Sequence, residues 1–422
     1  MLRQLYNALW YPVLPIALYF SGGIRGDNRR ERLGKIEPPA VRAAGGPRIW
    51  LHAASVGEIE GARPVVLGLM RELPNSFLAV TTMTEAGREA ARRRIPVAHR
   101  YALAPLDSPR VVKRFLDSIR PTMVLIAETE LWPNYLREAH HSGAKVAILN
   151  GRISARSLNR YRWVQPLFAQ ALGGVDLILA QTEDDAARYR QLGTPGERIV
   201  IAGNSKYDRE SCQVDAPSRP ELEAFAAPRP LLVAGSTAPG EEQIVIEAYS
   251  SLLRSYPDLV LAIAPRHLNR VPAVQAALRD AGLEYVNATT LRIDRSTAPR
   301  VLILDTMGEL RALYRRATVA FVGGSMAPGR GGQNVAEPAA AAVPVLVGPF
   351  HQSHEQLVSA LVAAGGAWII NDARGLAAAC AALLADESKR RAAGNNAHAA
   401  LERTAGSTAL SLLRLQALAS LS

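Results

Sequence analysis

A chain of 422 residues, 48% hydrophobic and 21% charged, has room for two or three folded domains and is neither disordered nor a bundle of membrane spans. Its two cysteines, Cys212 and Cys380, and its eight scattered histidines lack the spacing of a disulfide scaffold or a zinc site. The net charge of +11 is concentrated: residues 1–210 hold 30 Lys and Arg against 20 Asp and Glu, residues 211–422 only 19 against 18, so the first half is expected to meet something anionic.

Residues 5–22, LYNALWYPVLPIALYFSG, are uncharged and rich in Leu, Tyr and Trp. A bilayer span needs about 20 such residues. Pro12, Pro15 and Asn7 weaken a straight spanning helix, while the aromatic rings suit the headgroup layer. Arg25, Arg29, Arg30, Arg32 and Lys35 follow, a basic flank that stays on the cytoplasmic side. Residues 1–22 are therefore expected to anchor the chain, across the bilayer or along its interface.

From residue 48 short apolar runs alternate with helix-length segments. One set lies at 49–55, 77–83, 99–106, 123–129, 144–150, 176–182 and 198–204, and a second at 230–236, 259–265, 301–306, 319–325, 343–349 and 367–372. Continuous apolar runs of this length predict parallel strands covered on both faces. The two sets predict two doubly wound α/β domains, 23–210 and 231–422, joined by the Pro-rich, polar segment 211–230.

In such sheets ligands bind beyond the carboxyl ends of the strands. Those ends carry Ser55, Gly57 and Glu58; Glu128 and Glu130; Lys206; Pro265, Arg266 and His267; Asp305, Met307, Gly308 and Glu309; and the long loop GGSMAPGRGGQNVAEP, 323–338. The loop's glycines and the following helix start predict a cradle for phosphate, although neither GxxxxGK[ST] nor GxGxxG is present. Glu337 is read either as an acceptor for a ribose diol or as a plain surface carboxylate. Glu58 is read either as a general base or as a helix-start carboxylate that suits the dipole. Lys206 and Arg266 are candidate partners for an anionic leaving group. A base in one domain and a phosphate cradle in the other are the parts of a nucleotide-sugar glycosyltransferase of the GT-B type, with two Rossmann-like domains facing a central cleft.

The segments HAASVGE, TTMTEAG, ETELWPN, NGRISARS, GNSKYD, AGSTAPGEE, APRH, DTMGEL and FVGGSMAPGRGGQN, in this order, resemble the 3-deoxy-D-manno-octulosonic acid (Kdo) transferases of lipopolysaccharide assembly. The resemblance implies an inverting, metal-independent enzyme without a cofactor, held at the cytoplasmic side of the inner membrane. It would transfer Kdo from CMP-Kdo to a phosphorylated, acylated lipid A precursor, lipid IVA. By matching motif Glu58 is implied as the general base, and Glu128 and Lys206 as transition-state stabilisers, with Glu128 either orienting Lys206 or balancing charge on the sugar. Pro265, Arg266, Met307, Gly308, Glu309, Asn334, Val335, Ala336 and Glu337 are implied as the CMP site. Two departures stand out: Gln333 replaces the family's usual His, and Ala238 and Pro239 interrupt its STHEGEE pattern. The competing reading is a GT-B glycosyltransferase or epimerase that uses a UDP-sugar. Nucleic acid is not expected, because no helix-turn-helix, RNP or KH signature accompanies the basic charge.

Overall fold

The computed structural model describes residues 2–20, 26–37, 46–208, 219–226, 228–292 and 299–420. Residues 211–218 and 227 of the expected linker lie outside the described residues, as do Met1, Ser21, Gly22 and Arg25 of the N-terminal segment.

The chain divides into two compact units, Met1–Ser211 with Ala405–Ser422, and Cys212–Thr404. The first holds β1 (Arg48–His52), β2 (Phe77–Thr82), β3 (Arg100–Leu103), β4 (Met123–Ala127), β5 (Lys145–Gly151), β6 (Leu177–Ala180) and β7 (Ile199–Ile201). They form one sheet in the order β3-β2-β1-β4-β5-β6-β7. The second unit holds β8 (Leu231–Thr237), β9 (Val260–Pro265), β10 (Tyr285–Asn287), β11 (Val301–Ile303), β12 (Val319–Val322), β13 (Val345–Val347) and β14 (Ala367–Ile369), ordered β10-β11-β9-β8-β12-β13-β14. Every described pairing is parallel, for example Trp50 against Val124 and Ala320 against Val345. Both units are thus doubly wound, as the buried apolar runs predict.

Successive side chains leave a strand on opposite faces. Trp50 and Ile126 therefore enter one core layer of the first unit with Phe115, Tyr135 and Ile148, while Ile49, Leu51 and Leu125 enter the other with Ile59, Val65 and Leu69. The Trp50 ring lies 4.7 Å from Phe115 and 5.2 Å from Tyr135, and its indole N–H donates to Thr81 Oγ1 at 2.8 Å.

Two boundaries and one strand differ from expectation. The expected second domain, 231–422, ends at Thr404, because the Ser407–Ala419 helix packs on the Val56–Glu72 helix of the first unit, burying Leu415 and Leu418 in its core. Gly68 makes that approach possible, since a Cβ there would stand 2.6 Å from Leu412 Cδ1. Asp208 completes the return by accepting from the Gly406 N–H at 3.1 Å and from the Thr408 N–H. Within the expected linker, Pro220–Ala226 is a helix that buries Leu222 and Phe225 in the second unit. β10 was not among the expected strands, since YVN is short and only half-buried and so leaves no apolar run.

The N-terminal segment is one helix, Leu2–Phe20, with both prolines inside it. No described helix is long and apolar enough to cross a membrane, so a spanning anchor is not supported; Asn7, the two prolines and the polar ring edges of Tyr and Trp dilute its hydropathy. It is tied to the first unit by Tyr6, whose hydroxyl donates to Asp107 Oδ2 at 2.7 Å. Asp107 is buried and also accepts the N–H groups of Asn134 and Tyr135 at the start of the Pro133–His141 helix. Burial pushes its carboxyl up to about 7 despite these donors.

Candidate active site

Glu58 sits in the first turn of the Val56–Glu72 helix, directly after β1. Ser55 caps this helix: its hydroxyl accepts the Glu58 N–H at 3.3 Å and donates to Glu58 Oε1 at 3.0 Å, while Oε2 accepts the Ala54 N–H at 2.7 Å. This resembles a capping box shifted by one residue, the carboxylate reaching the N–H before the cap rather than that of Ser55 itself, so the helix-start reading is realised. The carboxylate is nonetheless unusual. It is 9% exposed, and burial first, then the neighbouring charge of Glu130, raise it to about 7 against the pull of the Ala54 N–H, with Glu128 adding to the rise. Two of its lone-pair positions are used, which leaves room for a substrate hydroxyl.

One turn further along the same helix face, Gly61 shows what stands next to Glu58. A Cβ at Gly61 would lie 2.9 Å from Lys206 Cε, 2.8 Å from Asn150 Nδ2 and 3.5 Å from Glu128 Oε1. The structure therefore brings Glu58, Glu128 and Lys206 together around one helix. Lys206 Nζ meets Glu128 Oε1 at 2.5 Å, the orienting contact that was one of the two roles open to Glu128. Glu128 adopts φ 51°, a left-handed conformation that costs a non-glycine residue about 1–3 kcal/mol and concentrates at functional sites. Asn150, also at φ 51°, donates to the Gly61 carbonyl at 3.2 Å and accepts the Ser205 N–H at 3.1 Å. Gly61, Asn150 and Ser205 were not singled out from sequence. The available signals were a glycine one turn after Glu58 and an Asn-Gly pair ending an apolar run.

In the second unit the expected nucleotide residues form two groups. Glu309 is held by the Arg219 guanidinium, Nε at 2.6 Å and Nη2 at 3.3 Å, and by the Thr306 hydroxyl. Glu337 pairs with Arg311 at 3.0 Å. Arg311 lies on the Leu310–Tyr314 helix that Glu309 opens, so one short helix links the two carboxylates. Asn334 Oδ1 accepts the Ala336 N–H at 3.0 Å, Gly308 takes φ 91° and Met307 is exposed, whereas Val335 and Ala336 are buried and can offer only backbone. Pro265 ends β9, and the Arg266 N–H donates to Thr237 O at 2.9 Å. Among the described residues no hydrogen bond or ion pair joins Arg266 to Glu309 or Glu337.

The start of the expected phosphate cradle is already occupied by the protein itself. At the start of the glycine-rich loop, Gly324 N–H donates to Glu241 Oε2 at 2.7 Å, and the Ser325 and Met326 N–H groups donate to Oε1 at 2.8 and 2.9 Å. Oε2 also takes the Ala238 N–H at 2.7 Å. Glu241 is 1% exposed, so these donors are filled by the protein's own carboxylate rather than presented to a ligand. Gln333 folds onto the same loop through its N–H to Gly323 O at 3.1 Å.

Two doubly wound, parallel-sheet α/β units are the architecture shared with GT-B-like neighbours. Consistent with this, the UDP-GlcNAc 2-epimerase structure from Neisseria meningitidis superposes with a TM-score of 0.59 over 87% of this chain and 99% of that one, at 15% identity, a likeness of fold alone. The family profile for 3-deoxy-D-manno-octulosonic-acid transferase (kdotransferase) matches residues 27–209. The chain is 31% identical to the 3-deoxy-D-manno-octulosonic acid transferase of Haemophilus influenzae over 96% of both chains. With that of Bordetella pertussis identity is 34%, over 87% of this chain and 86% of the relative. The chain belongs to the 3-deoxy-D-manno-octulosonic acid transferase family, and it is a glycosyltransferase of the Kdo transferase type.

Proposed function

We propose that this chain transfers Kdo from CMP-Kdo to a phosphorylated, acylated lipid A precursor, lipid IVA, with inversion and without metal or cofactor. The observation that carries the reading is Glu58, a buried carboxylate raised to about 7 beside the Glu128–Lys206 pair. At that value it holds a proton weakly enough to be ionised at neutral pH and strongly enough to take one from a sugar hydroxyl. The hydroxyl oxygen attacks the anomeric carbon of Kdo as its proton passes to Glu58, and the bond to the CMP phosphate breaks on the opposite face, so the configuration inverts. Lys206, oriented by Glu128, offers positive charge to the negative charge developing in the transition state. For the donor, Arg266 is assigned to phosphate. The carboxylates of Glu309 and Glu337 are assigned to hydroxyl and amino groups of the nucleoside, with Pro265, Met307, Gly308, Asn334, Val335 and Ala336 completing the CMP site.

The proposed seat of the enzyme is the cytoplasmic side of the inner membrane. The Leu2–Phe20 helix exposes Leu2, Leu5, Leu9, Val13 and Ile16 at helical spacing, and Trp163 is 88% exposed. Such a helix suits an interfacial position, with the basic surplus of the first half turned toward anionic headgroups and acceptor phosphates.

The test is mass spectrometry of a tetraacylated lipid A precursor incubated with the full chain and CMP-Kdo, with Glu58→Gln in parallel. A gain of whole Kdo units, absent in the variant, is expected. No gain with a folded, CMP-binding wild type refutes the acceptor. Stabilisation by UDP but not CMP in a thermal-shift panel refutes the donor.

A further inference from the structure

Arg219 lies in the expected linker, one residue before the Pro220–Ala226 helix, and belongs to the second unit. Its guanidinium is spent within that unit. Nε donates to Glu309 Oε1 at 2.6 Å, and Nη2 donates to Glu309 Oε2 at 3.3 Å and to the Ala288 carbonyl at 3.0 Å. The Thr306 hydroxyl adds a second donor to Oε2. A forked contact of this kind fixes the plane of a carboxylate as well as its position. Among the described residues Oε1 has no donor besides Arg219, so one of its lone-pair positions stays open. The Glu309 side chain keeps 17% of its surface exposed and is not sealed as Glu241 is. Docking of the linker helix does not need this pair, because Leu222 and Phe225 bury the helix in the second unit and Glu223 pairs with Arg316. The other carboxylate among the expected nucleotide residues repeats the arrangement, Glu337 against Arg311 at 3.0 Å.

We propose that Arg219 is a positioning residue of the donor site: its fork presents the open lone pair of Glu309 to one hydrogen-bond donor of the nucleoside, a ribose hydroxyl or the cytosine amino group. The inference rests on the reading of residues 307–309 and 334–337 as the CMP site. It adds a residue to that site, since Arg219 lies outside every segment that carries the family resemblance. Charge explains why the carboxylate needs an arginine. A nucleoside monophosphate is itself anionic, and an unmatched carboxylate beside it would repel it. Paired with a guanidinium, the carboxylate accepts a hydrogen bond without that repulsion, and its geometry is set before the ligand arrives. Arg219 is itself held in place from its backbone, whose carbonyl accepts the N–H groups of Leu222 at 3.0 Å and Glu223 at 3.2 Å. The residue that starts the linker helix thus also sets Glu309.

The experiment is calorimetric titration of the full chain with CMP and two analogues. One is 2′,3′-dideoxy-CMP, which lacks both ribose hydroxyls; the other is pyrimidin-2-one riboside monophosphate, which lacks the amino group. Arg219→Gln is expected to weaken CMP binding by about 10-fold, the worth of one well-placed hydrogen bond to a charged group. Arg219→Lys keeps the charge but not the fork and is expected to weaken it by less. With one analogue the loss is expected to vanish, because that analogue no longer offers the group Glu309 accepts: the dideoxy compound for a hydroxyl, the pyrimidinone for the amino group. The KM for CMP-Kdo is expected to rise with the CMP dissociation constant while kcat holds. A merely structural Arg219 would weaken all three nucleotides alike, and that result overturns the proposal, as does an unchanged affinity for CMP. Should Arg219→Gln fail to fold, Arg219→Lys carries the same comparison. A folded wild type that takes up no CMP sinks the donor reading and this inference with it, whereas CMP binding indifferent to Arg219 sinks this inference alone.

Discussion

Glu58 and Glu241 occupy matching places in the two units. Each opens a helix after its unit's first strand, β1 or β8, and each carboxylate reaches back to an alanine N–H, Ala54 or Ala238. Their company separates them. Glu241 receives four backbone N–H groups, three of them from the glycine-rich loop, and its lone pairs are used up. Glu58 receives one backbone N–H and one hydroxyl, with two further carboxylates close by. The same residue at the same junction thus has its acceptor positions filled by the protein in one unit and half open in the other, where it is the proposed proton acceptor.

Glu58→Gln breaks the comparison most directly. Transfer is expected to fall by about 10²–10⁴-fold, the usual worth of a general base, when turnover is followed on the lipid acceptor. The fold is expected to gain: a carboxyl raised from 4.5 to about 7 binds its proton more tightly folded than unfolded. Such a group supports stability below pH 4.5 and withdraws that support as pH rises through 7, by about 3 kcal/mol in full. At pH 8 the Glu58→Gln unfolding midpoint should therefore lie above that of the wild type, while at pH 4 the two should agree.

Glu241→Leu should show the opposite pattern. It leaves four buried donors unsatisfied at about 1–3 kcal/mol each before the loop relaxes, so a loss of at least about 3 kcal/mol in denaturant unfolding is expected. An unfolding curve like the wild type's would mean that the loop has another partner. Gly61→Ala sharpens the comparison within the first unit. It improves helix propensity by about 1 kcal/mol but drives a methyl to 2.9 Å from Lys206 Cε. Transfer should fall by about 10-fold or more through misplacement of Lys206, with little change in Tm. The smallest effect is expected for Tyr6→Phe, which removes one hydrogen bond to Asp107 at a cost of about 1 kcal/mol, read as a lower Tm with kcat unchanged.

Much of this was legible in the sequence, for a physical reason. A strand buried on both faces writes itself as an unbroken apolar run, so every expected run contains a strand, and among the described residues only Tyr285–Asn287, half-exposed, escaped. Glu58, Glu128 and Lys206 were found because polar residues at strand ends stand out against such runs. What escaped depended on contacts between distant segments. Nothing local reveals that Gly61 leaves space for Lys206, or that Asn150 braces Ser205. The start of the glycine-rich loop looked like part of a phosphate cradle because the pattern records a concave backbone and not what fills it; the filler of the 324–326 N–H groups, Glu241, lies at a sequence separation of 83 from Gly324.

The returning C-terminal helix has a consequence for synthesis. Asp208 waits for Thr408, a separation of 200 residues, and the hydrophobic layer behind the helix that carries Glu58 lacks Leu415 and Leu418 until the Ser407–Ala419 segment is made. The domain made first is therefore finished last, after the domain that follows it has left the ribosome complete. A prematurely ended chain would carry a sealed second domain and an open first one, with its greasy floor exposed to proteases and chaperones. Residues 407–419 are thus a late-made part of an early-made core, and the helix that carries Glu58 gains its full packing only when they fold back onto it.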